Sequence, residues 1–253
     1  MLSNPFRLLP VSFAAMIGIG TSLLMLPQAT VSGRKTTILD ALFTATSAVC
    51  VTGLAVVDTA THWTGFGKAI ILLLIQVGGL GIVTVVSIGI MLVADRIGLS
   101  HTRVLAADLH TDGYGSVSKL VRNIVLTTLT FEALFAVVLS ARYFISYDYG
   151  FSKAAIHGVF HSISAWNNAG FALYTDSFIG FSNDWFFSIA VCLAVVLGGI
   201  GFPVLRTFAI HKLKWRMWPM HSKLMVSATA ALLVLGTILF LLFEWSNPRT
   251  LGA

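Results

Sequence analysis

Long apolar stretches separated by short polar segments dominate the pattern of this chain. Five of them approach or exceed the roughly 20 residues that a helix needs to cross a bilayer. They cover residues 10–28, 66–94, 123–143, 185–210 and 224–243. A shorter apolar stretch follows the first and the third of them, at residues 38–48 and 154–165. Because stretches of about 10–14 apolar residues are typical of re-entrant segments, the pattern predicts span, half-span and span, repeated once, and then one further span.

The composition agrees with a membrane location. Hydrophobic residues make up 57% of the chain, charged residues 10%, and the mean hydropathy is +0.88, whereas soluble domains carry about a quarter charged residues. We therefore predict an all-α integral membrane protein with several spans. The first span follows Arg7 and has no small-residue cleavage site, so it is not a removed signal peptide. Cys50 and Cys192 lie in different apolar segments and suggest neither a disulfide framework nor a metal site.

The charges predict an orientation rather than a nucleic-acid partner. The net charge is +6 with a pI near 9.6, but the basic residues alternate between loops along the chain. A cytoplasmic N-terminus places ten of the sixteen basic residues inside, as the Lys/Arg bias requires. Both half-spans then enter from outside, where acidic residues either concentrate cations or merely solvate the loops. These acidic residues are Asp40, Asp58, Asp148, Asp176, Asp184 and Glu244.

Two related loops follow the half-spans. Residues 158–171 are a degenerate copy of residues 41–54, displaced by 117 positions. A half-helix that points inward brings about half a negative charge to its inner end, which favours a cation. Non-helical backbone is tolerated at that depth where it lines a water-filled path. The aligned pairs are Phe43 with Phe160, Ser47-Ala48 with Ser164-Ala165, and Gly53 with Gly170.

We interpret the two loops as candidate ion-binding segments. Gly53 and Gly170 suit positions that need a positive φ or a close approach of two backbones. Carbonyl oxygens of such loops can replace the water around a cation. The amides of the second loop would either line the mouth or hydrogen-bond the loop itself. The candidate filter residues are Val49, Cys50, Val51, Thr52, Gly53, Asn167, Asn168, Ala169 and Gly170.

Four motifs resemble the Trk/Ktr/HKT superfamily of potassium transporters, and most closely its bacterial Ktr-type membrane subunits. They are FTATSAVCVTGL at residues 43–54, LIQVGGLGI at 74–82, FHSISAWNNAGF at 160–171 and LGGIGF at 197–202. The resemblance implies M1-P-M2 repeats (helix, pore helix and loop, helix) around a pseudo-fourfold pore, each repeat giving one filter glycine. Only Gly53 and Gly170 match here, so the chain resembles a member truncated after the first helix of a third repeat, or one in which two chains surround one pathway.

The resemblance also implies a domain organisation and a function. We expect potassium uptake across the bacterial plasma membrane without chemical catalysis or a cofactor, by a homodimer embedded in membrane lipid. Sodium coupling stays open, and a nucleotide-binding regulatory ring is expected on the cytoplasmic face. A nonconducting fragment or assembly partner is the alternative, and an alternating-access carrier for an organic solute is a third reading. The expected segments are a repeat at residues 10–94, a cytoplasmic linker at 95–119, a second repeat at 120–210, a linker at 211–223 and an incomplete third repeat at 224–253.

Glycines in the second helix of each expected repeat have two readings. Small residues let helices approach closely in lipid, and glycines also bend a helix or make room beneath a filter. Both readings stay open for the six glycines Gly78, Gly79, Gly81, Gly198, Gly199 and Gly201.

Three polar residues lie inside apolar segments. Glu132 is in the third span, where an ionisable group is costly and functional by default; we expect it to brace the second loop, with proton or sodium coupling as the alternative. His157 and His161 stand one helical turn apart, a spacing that fits zinc, but structural hydrogen bonding is the favoured interpretation. No hydrolase or nucleotide-binding motif occurs, so the sequence gives no support for an enzyme.

Overall fold

The computed structural model of the protein describes residues 5–31, 36–81 and 114–247. Within these ranges the chain forms helices and no β-strand, apart from a single bridge between Thr30 and Trp63. The prediction of an all-α fold is therefore confirmed. In chain order the helices are α1 (Pro5–Leu24), α2 (Ile38–Val49), α3 (Thr59–His62), α4 (Gly65–Gly79), α5 (Tyr114–Ser146), α6 (Phe151–Trp166), α7 (Trp185–Gly199), α8 (Phe202–His211) and α9 (Met220–Glu244), with short 3-10 turns at Ile179–Phe181 and Trp215–Met217.

The two predicted half-spans are the short helices α2 and α6. A capping box starts α2, since the Thr37 hydroxyl accepts from Asp40 N–H at 3.1 Å and the Asp40 carboxylate accepts from Thr37 N–H at 3.1 Å. Alanines and other small residues line the buried face of α2, which lets it pack closely against α1 and α4. The second half-helix, α6, is four residues longer and begins after Gly150 without a side-chain cap.

Helix α6 packs mainly against α5, and both enclose an aromatic core. Leu139 and Tyr143 from α5 and Phe187 from α7 are fully buried there. A second core joins α1, α2 and α4 and includes Phe160 and Ala169 of the second repeat. Helix α6 therefore contributes to both apolar cores, through Phe160 to one and through Ala154 to the other, within one compact unit, Met1–Gly198.

The predicted spans are only partly matched by single helices. Among the described residues, Val121–Ser146 and Met220–Glu244 are long and apolar enough to cross a membrane by themselves. The prediction of one continuous span over residues 185–210 is wrong, because α7 ends at Gly199 and α8 begins at Phe202. Gly201 between them has φ 90, which an L side chain rarely adopts, and Pro203 cannot donate to a continuing helix. Counted together as one broken span, α7 and α8 are long and apolar enough to cross a membrane.

A second compact unit, Gly199–Ala253, contains α8 and α9. The Thr207 and Ser222 hydroxyls hydrogen-bond at 2.9 Å, and Trp218 Nε1 donates to the Lys212 carbonyl at 3.0 Å. The predicted linker at 211–223 covers the end of α8, the 3-10 turn at Trp215–Met217 and the start of α9. The continuation of the second span over 82–94, most of the predicted linker at 95–119 and residues 248–253 of the incomplete third repeat lie outside the described residues.

Candidate functional site

Helices α2 and α6 end in the same backbone turn. Their C-cap residues, Cys50 and Asn167, have nearly identical dihedrals, φ −84 and ψ 0 against φ −80 and ψ 1. The next residue is left-handed in both loops, with φ 55 at Val51 and φ 58 at Asn168. Asparagine tolerates this conformation, whereas a β-branched valine is a strained occupant. The left-handed conformation of Val51 was not predicted from the sequence.

The hydrogen bonds of these turns also match position by position. Thr52 N–H donates to the Ser47 carbonyl at 2.9 Å, and Ala169 N–H donates to the Ser164 carbonyl at 2.7 Å. A second bond in each loop runs back to Ala48 (3.3 Å) or Ala165 (3.0 Å). This is the Schellman arrangement, which satisfies carbonyls in the last helical turn. The two predicted copies thus share a backbone conformation as well as sequence.

The backbone carbonyls that follow α2 and α6 take no part in these hydrogen bonds. Within the described ranges, none of the backbone carbonyls of residues 50–53 and 167–170 accepts a hydrogen bond from the protein. Unpaired backbone oxygens below the membrane surface need water or a cation as partner. Val49 differs from the rest of the predicted filter, since it is the last residue of α2 and is 1% exposed.

Gly53 and Gly170 bring the two loops into backbone contact. Both residues have a positive φ, 73 and 72, as the sequence predicted. A Cβ on Gly53 would lie 2.5 Å from the Ala169 carbonyl oxygen and 2.8 Å from the Gly170 Cα. A Cβ on Gly170 would lie 3.2 Å from the Gly53 Cα. Two features therefore require glycine here: the positive φ and the close approach of the opposite backbone.

The glycines in and just after α4 and α7 differ from one another in their contacts and backbone conformation. A Cβ on Gly78 would overlap the Val49 carbonyl, and one on Gly198 would overlap the Trp166 carbonyl, so these residues seat the ends of the half-helices. A Cβ on Gly79 would overlap the Asn167 side chain. Gly81 and Gly201 instead follow the helix ends with φ 80 and 90. Gly199 is the last residue of α7 and is exposed.

Glu132 on α5 lies against the second loop. The residue is 4% exposed, and its carboxylate accepts from Asn167 Nδ2 at 2.9 Å and from Gln76 Nε2 at 3.1 Å. Its backbone carbonyl accepts from the Ser162 hydroxyl at 2.6 Å. Sequence reasoning did not name Gln76, because a lone amide 56 positions away carries no signal of contact. The carboxylate links α4, α5 and the loop after α6.

Further bonds hold the second loop to its own repeat. The Ser164 hydroxyl donates to the Phe171 carbonyl at 2.6 Å. The Asn168 amide donates to the carbonyls of Trp166 at 3.3 Å and Val195 at 3.2 Å. The amides of this loop therefore hydrogen-bond the scaffold, one of the two roles the sequence left open. In the first loop the Thr52 hydroxyl donates to the Ser47 hydroxyl at 3.0 Å.

An open cavity of about 300 Å³ lies over the contact of the two glycines. Residues from both loops line it, including Gly53, Gly170 and Tyr174. Asp58 stands at its edge and accepts from the Thr175 and Thr61 hydroxyls at 2.8 Å each. The carboxylate joins the outer arms of the two loops and gives the cavity mouth a negative charge.

Two of the other predicted acids, Asp40 and Asp184, have local partners. Asp40 caps α2, and Asp184 forms a two-point pair with Arg142, at 2.8 and 2.9 Å. The Arg142 guanidinium, together with the Phe187 N–H and the Tyr147 hydroxyl, lowers the pKa of Asp184 to about 2. Among the described residues no group of His, Cys, Asp and Glu is arranged to hold a metal ion. His157 and His161 instead hydrogen-bond tyrosines, Tyr174 and Tyr143 respectively.

These features define a class: an all-α integral membrane protein with two short helices whose following loops meet at paired glycines. The chain belongs to the TrkH family of cation transport proteins, which matches it over residues 1–246. It is similar to the Ktr system potassium uptake protein B of Bacillus subtilis, 38% identical over 98% of the chain and 55% of that protein. The protein of the same name from Vibrio alginolyticus is 39% identical over 98% of the chain and 54% of the relative.

A third relative carries a different name. The potassium/sodium uptake protein NtpJ of Enterococcus hirae is 37% identical over 95% of the chain and 53% of its own length. The chain thus spans about half the length of the relatives it matches. The family assignment made from the four motifs is confirmed.

Proposed function

We propose that this chain carries potassium ions across the bacterial plasma membrane, as part of a Ktr-type uptake transporter and without chemical catalysis. The observation that supports this most is the set of unpaired carbonyls at residues 50–53 and 167–170, around the contact of Gly53 with Gly170. A dehydrated cation can take such oxygens in place of water. The names of the relatives supply the ion: potassium in two of them, and potassium and sodium in the third.

The proposed path runs from the cavity beside Asp58 to the two glycines. Cys50, Val51, Thr52 and Gly53 contribute carbonyls from one side, and the equivalent positions from Asn167 to Gly170 contribute them from the other. We assign Val49 a supporting role, because its carbonyl packs against Gly78. The inner ends of α2 and α6 add the negative end of their helix dipoles.

We further propose that Glu132 braces this path rather than carrying an ion or proton. Both of its carboxylate oxygens accept hydrogen bonds from amides, one of which belongs to the loop itself. The repeat bounds, the cytoplasmic N-terminus, the homodimer and a nucleotide-binding regulatory ring on the basic face also remain proposals, made by resemblance. The word "system" in the relatives' names fits an assembly with more than one component.

The test is rubidium uptake into liposomes that contain the full-length gene product, with Gly53→Ser as the variant. Serine at φ 73 would strain the turn and press on the Ala169 carbonyl, so we expect weaker discrimination of rubidium from sodium. Gly236→Ala is the control, since nothing lies within 4 Å of its Cβ position. Unchanged selectivity in Gly53→Ser would contradict the filter assignment, and no uptake at all would favour a nonconducting assembly partner.

A further inference from the structure

His161 lies in the middle of α6, is 0% exposed and contacts the chain that leaves the second filter loop. Its Nε2 accepts a hydrogen bond from Leu173 N–H at 3.0 Å. A backbone N–H can only donate, so Nε2 carries no proton and the ring is neutral. The proton then sits on Nδ1, which donates to the Tyr143 hydroxyl oxygen at 3.0 Å. Leu173 N–H therefore selects the tautomer, and the Tyr143 hydroxyl accepts from the ring N–H that this tautomer leaves on Nδ1.

Stacking holds the same stretch of chain a second time. The Tyr174 ring stacks on the imidazole of His161 at 5.1 Å with an interplanar angle of 13°, and Phe178 meets the ring edge-on at 5.1 Å. Tyr174 lines the cavity together with Gly170. Only three residues separate Gly170 from Tyr174, so the ring and the bond to Leu173 together limit how far the Gly170 carbonyl can turn.

The first repeat has no such anchor at the matching position. Thr44 stands 117 positions before His161, and its hydroxyl is buried without a hydrogen-bond partner among the described residues. The arm that corresponds to Leu173 is open to solvent, with Leu54 63% and Val56 55% exposed. The two loops share one backbone turn but differ in what holds their outer arms.

We propose that His161 is a positioning residue of the cation path: bonded through Nε2 to Leu173 N–H and through Nδ1 to Tyr143, it fixes the arm from Gly170 to Tyr174 and so sets the direction of the carbonyls in the second loop. The proposal rests on the proposed function. It makes the second loop the rigid wall of the path and the first loop the compliant one. His161 touches no ion in this arrangement.

Two substitutions of His161 separate positioning from filling space. In His161→Gln, the side-chain oxygen reaches the place of Nε2 and can still accept from Leu173 N–H, whereas in His161→Asn it is too short to do so. Rubidium and sodium uptake by the full-length gene product are measured for both variants. We expect His161→Asn to lower the rubidium-to-sodium ratio by about threefold to tenfold, the usual worth of one hydrogen bond, and to raise the KM for rubidium more than it lowers the maximal rate. His161→Gln should restore most of the ratio.

The outcomes are distinguishable. If the unsubstituted protein takes up no rubidium, both the proposed function and the proposed role of His161 are contradicted. Selective uptake by His161→Asn equal to that of the unsubstituted protein, or no difference between the Asn and Gln variants, would remove the role of His161 alone. If His161→Asn does not accumulate in the membrane, Tyr143→Phe gives the same test, because it keeps the stacked ring and removes only the hydroxyl. Unchanged selectivity in that variant would overturn the proposal.

Discussion

The loops after α2 and α6 have the same backbone conformation but are held in place by different contacts. Both end a half-helix with a left-handed residue and meet at a glycine. The first loop places a valine at the left-handed position and leaves its outer arm exposed, whereas the second places an asparagine there and ties its arm down through His161. The shared features define the position of the carbonyls, and the differing ones define how firmly each set is held.

The largest expected effect comes from the shared glycines. Gly53→Ala and Gly170→Ala each force alanine into a left-handed conformation, a strain of about 1–2 kcal/mol. The alanine at 53 also overlaps backbone atoms at 2.5 and 2.8 Å, whereas that at 170 has 3.2 Å to its nearest neighbour. We expect rubidium uptake to fall at least about tenfold in Gly53→Ala, since about 1.4 kcal/mol corresponds to that factor, and less in Gly170→Ala. A larger loss in Gly170→Ala would show that the contact is not as described.

The second largest effect is expected from Glu132, whose carboxylate holds the second loop and not the first. Glu132→Ala leaves the amides of Gln76 and Asn167 without their acceptor, at about 1–3 kcal/mol for each buried group. Glu132→Gln should be mild, because Gln76 can turn its amide and use Oε1, which is buried and unpaired among the described residues. We expect the melting temperature and the ion selectivity to fall in Glu132→Ala and to hold in Glu132→Gln. A changed pH or sodium dependence of uptake in Glu132→Gln would instead support ion coupling.

The helix caps of α4 and α7 give a smaller comparison outside the loops. The Thr64 hydroxyl accepts from Gly67 N–H at 3.2 Å, and Asp184 Oδ1 accepts from Phe187 N–H at 3.1 Å. Loss of such a cap costs about 0.5–2 kcal/mol. We expect Thr64→Ala to lower thermal stability by this amount and Asp184→Ala by more, because Asp184 also pairs with Arg142. Equal losses would mean that the ion pair adds no more to stability than the bond that the Thr64 hydroxyl donates to the Gln28 carbonyl at 2.6 Å.

The carboxylate of Asp184 also predicts a pH dependence of the stability. The pKa of Asp184 is lowered to about 2, chiefly by its bond to Arg142. A lowered pKa means that the native state holds the proton less tightly than the unfolded chain does, so this stabilisation is present above the ordinary carboxyl pKa of about 3.9 and is lost as the pH falls toward 2. The stability difference between the unsubstituted protein and Asp184→Ala should therefore be constant from about pH 5 upward and shrink below about pH 4.

The smallest effect comes from exchanging the left-handed residues. Val51→Asn removes a β-branched side chain from a conformation that disfavours it and should raise stability by about 1 kcal/mol or less. Asn168→Val should do the reverse and also lose the amide bonds to Trp166 and Val195. Thermal unfolding of the two variants in detergent shows whether each substitution raises or lowers the stability. A stabilising Asn168→Val would contradict the described turn.

Local signals in the sequence predicted the parts of the site that depend on local geometry. The positive φ of Gly53 and Gly170 and the short half-helices could be read from a repeated motif. The prediction of a continuous span over residues 185–210 was wrong. The segment is apolar throughout, so its hydropathy carries no signal of the break that Gly201 makes possible. The bonds from Glu132 to Gln76 and from His161 to Leu173 could not be predicted, since they join residues that only the packing of helices and loops brings together.

The most direct test of the central claim is anomalous diffraction from crystals of the full-length gene product grown with thallium(I), a heavy stand-in for potassium. The account predicts anomalous density in contact with the carbonyl oxygens of both loops, beside Gly53 and Gly170 and below the cavity at Asp58. Density only at other places, with both half-helices turned away from a shared axis and rubidium uptake intact, would contradict it.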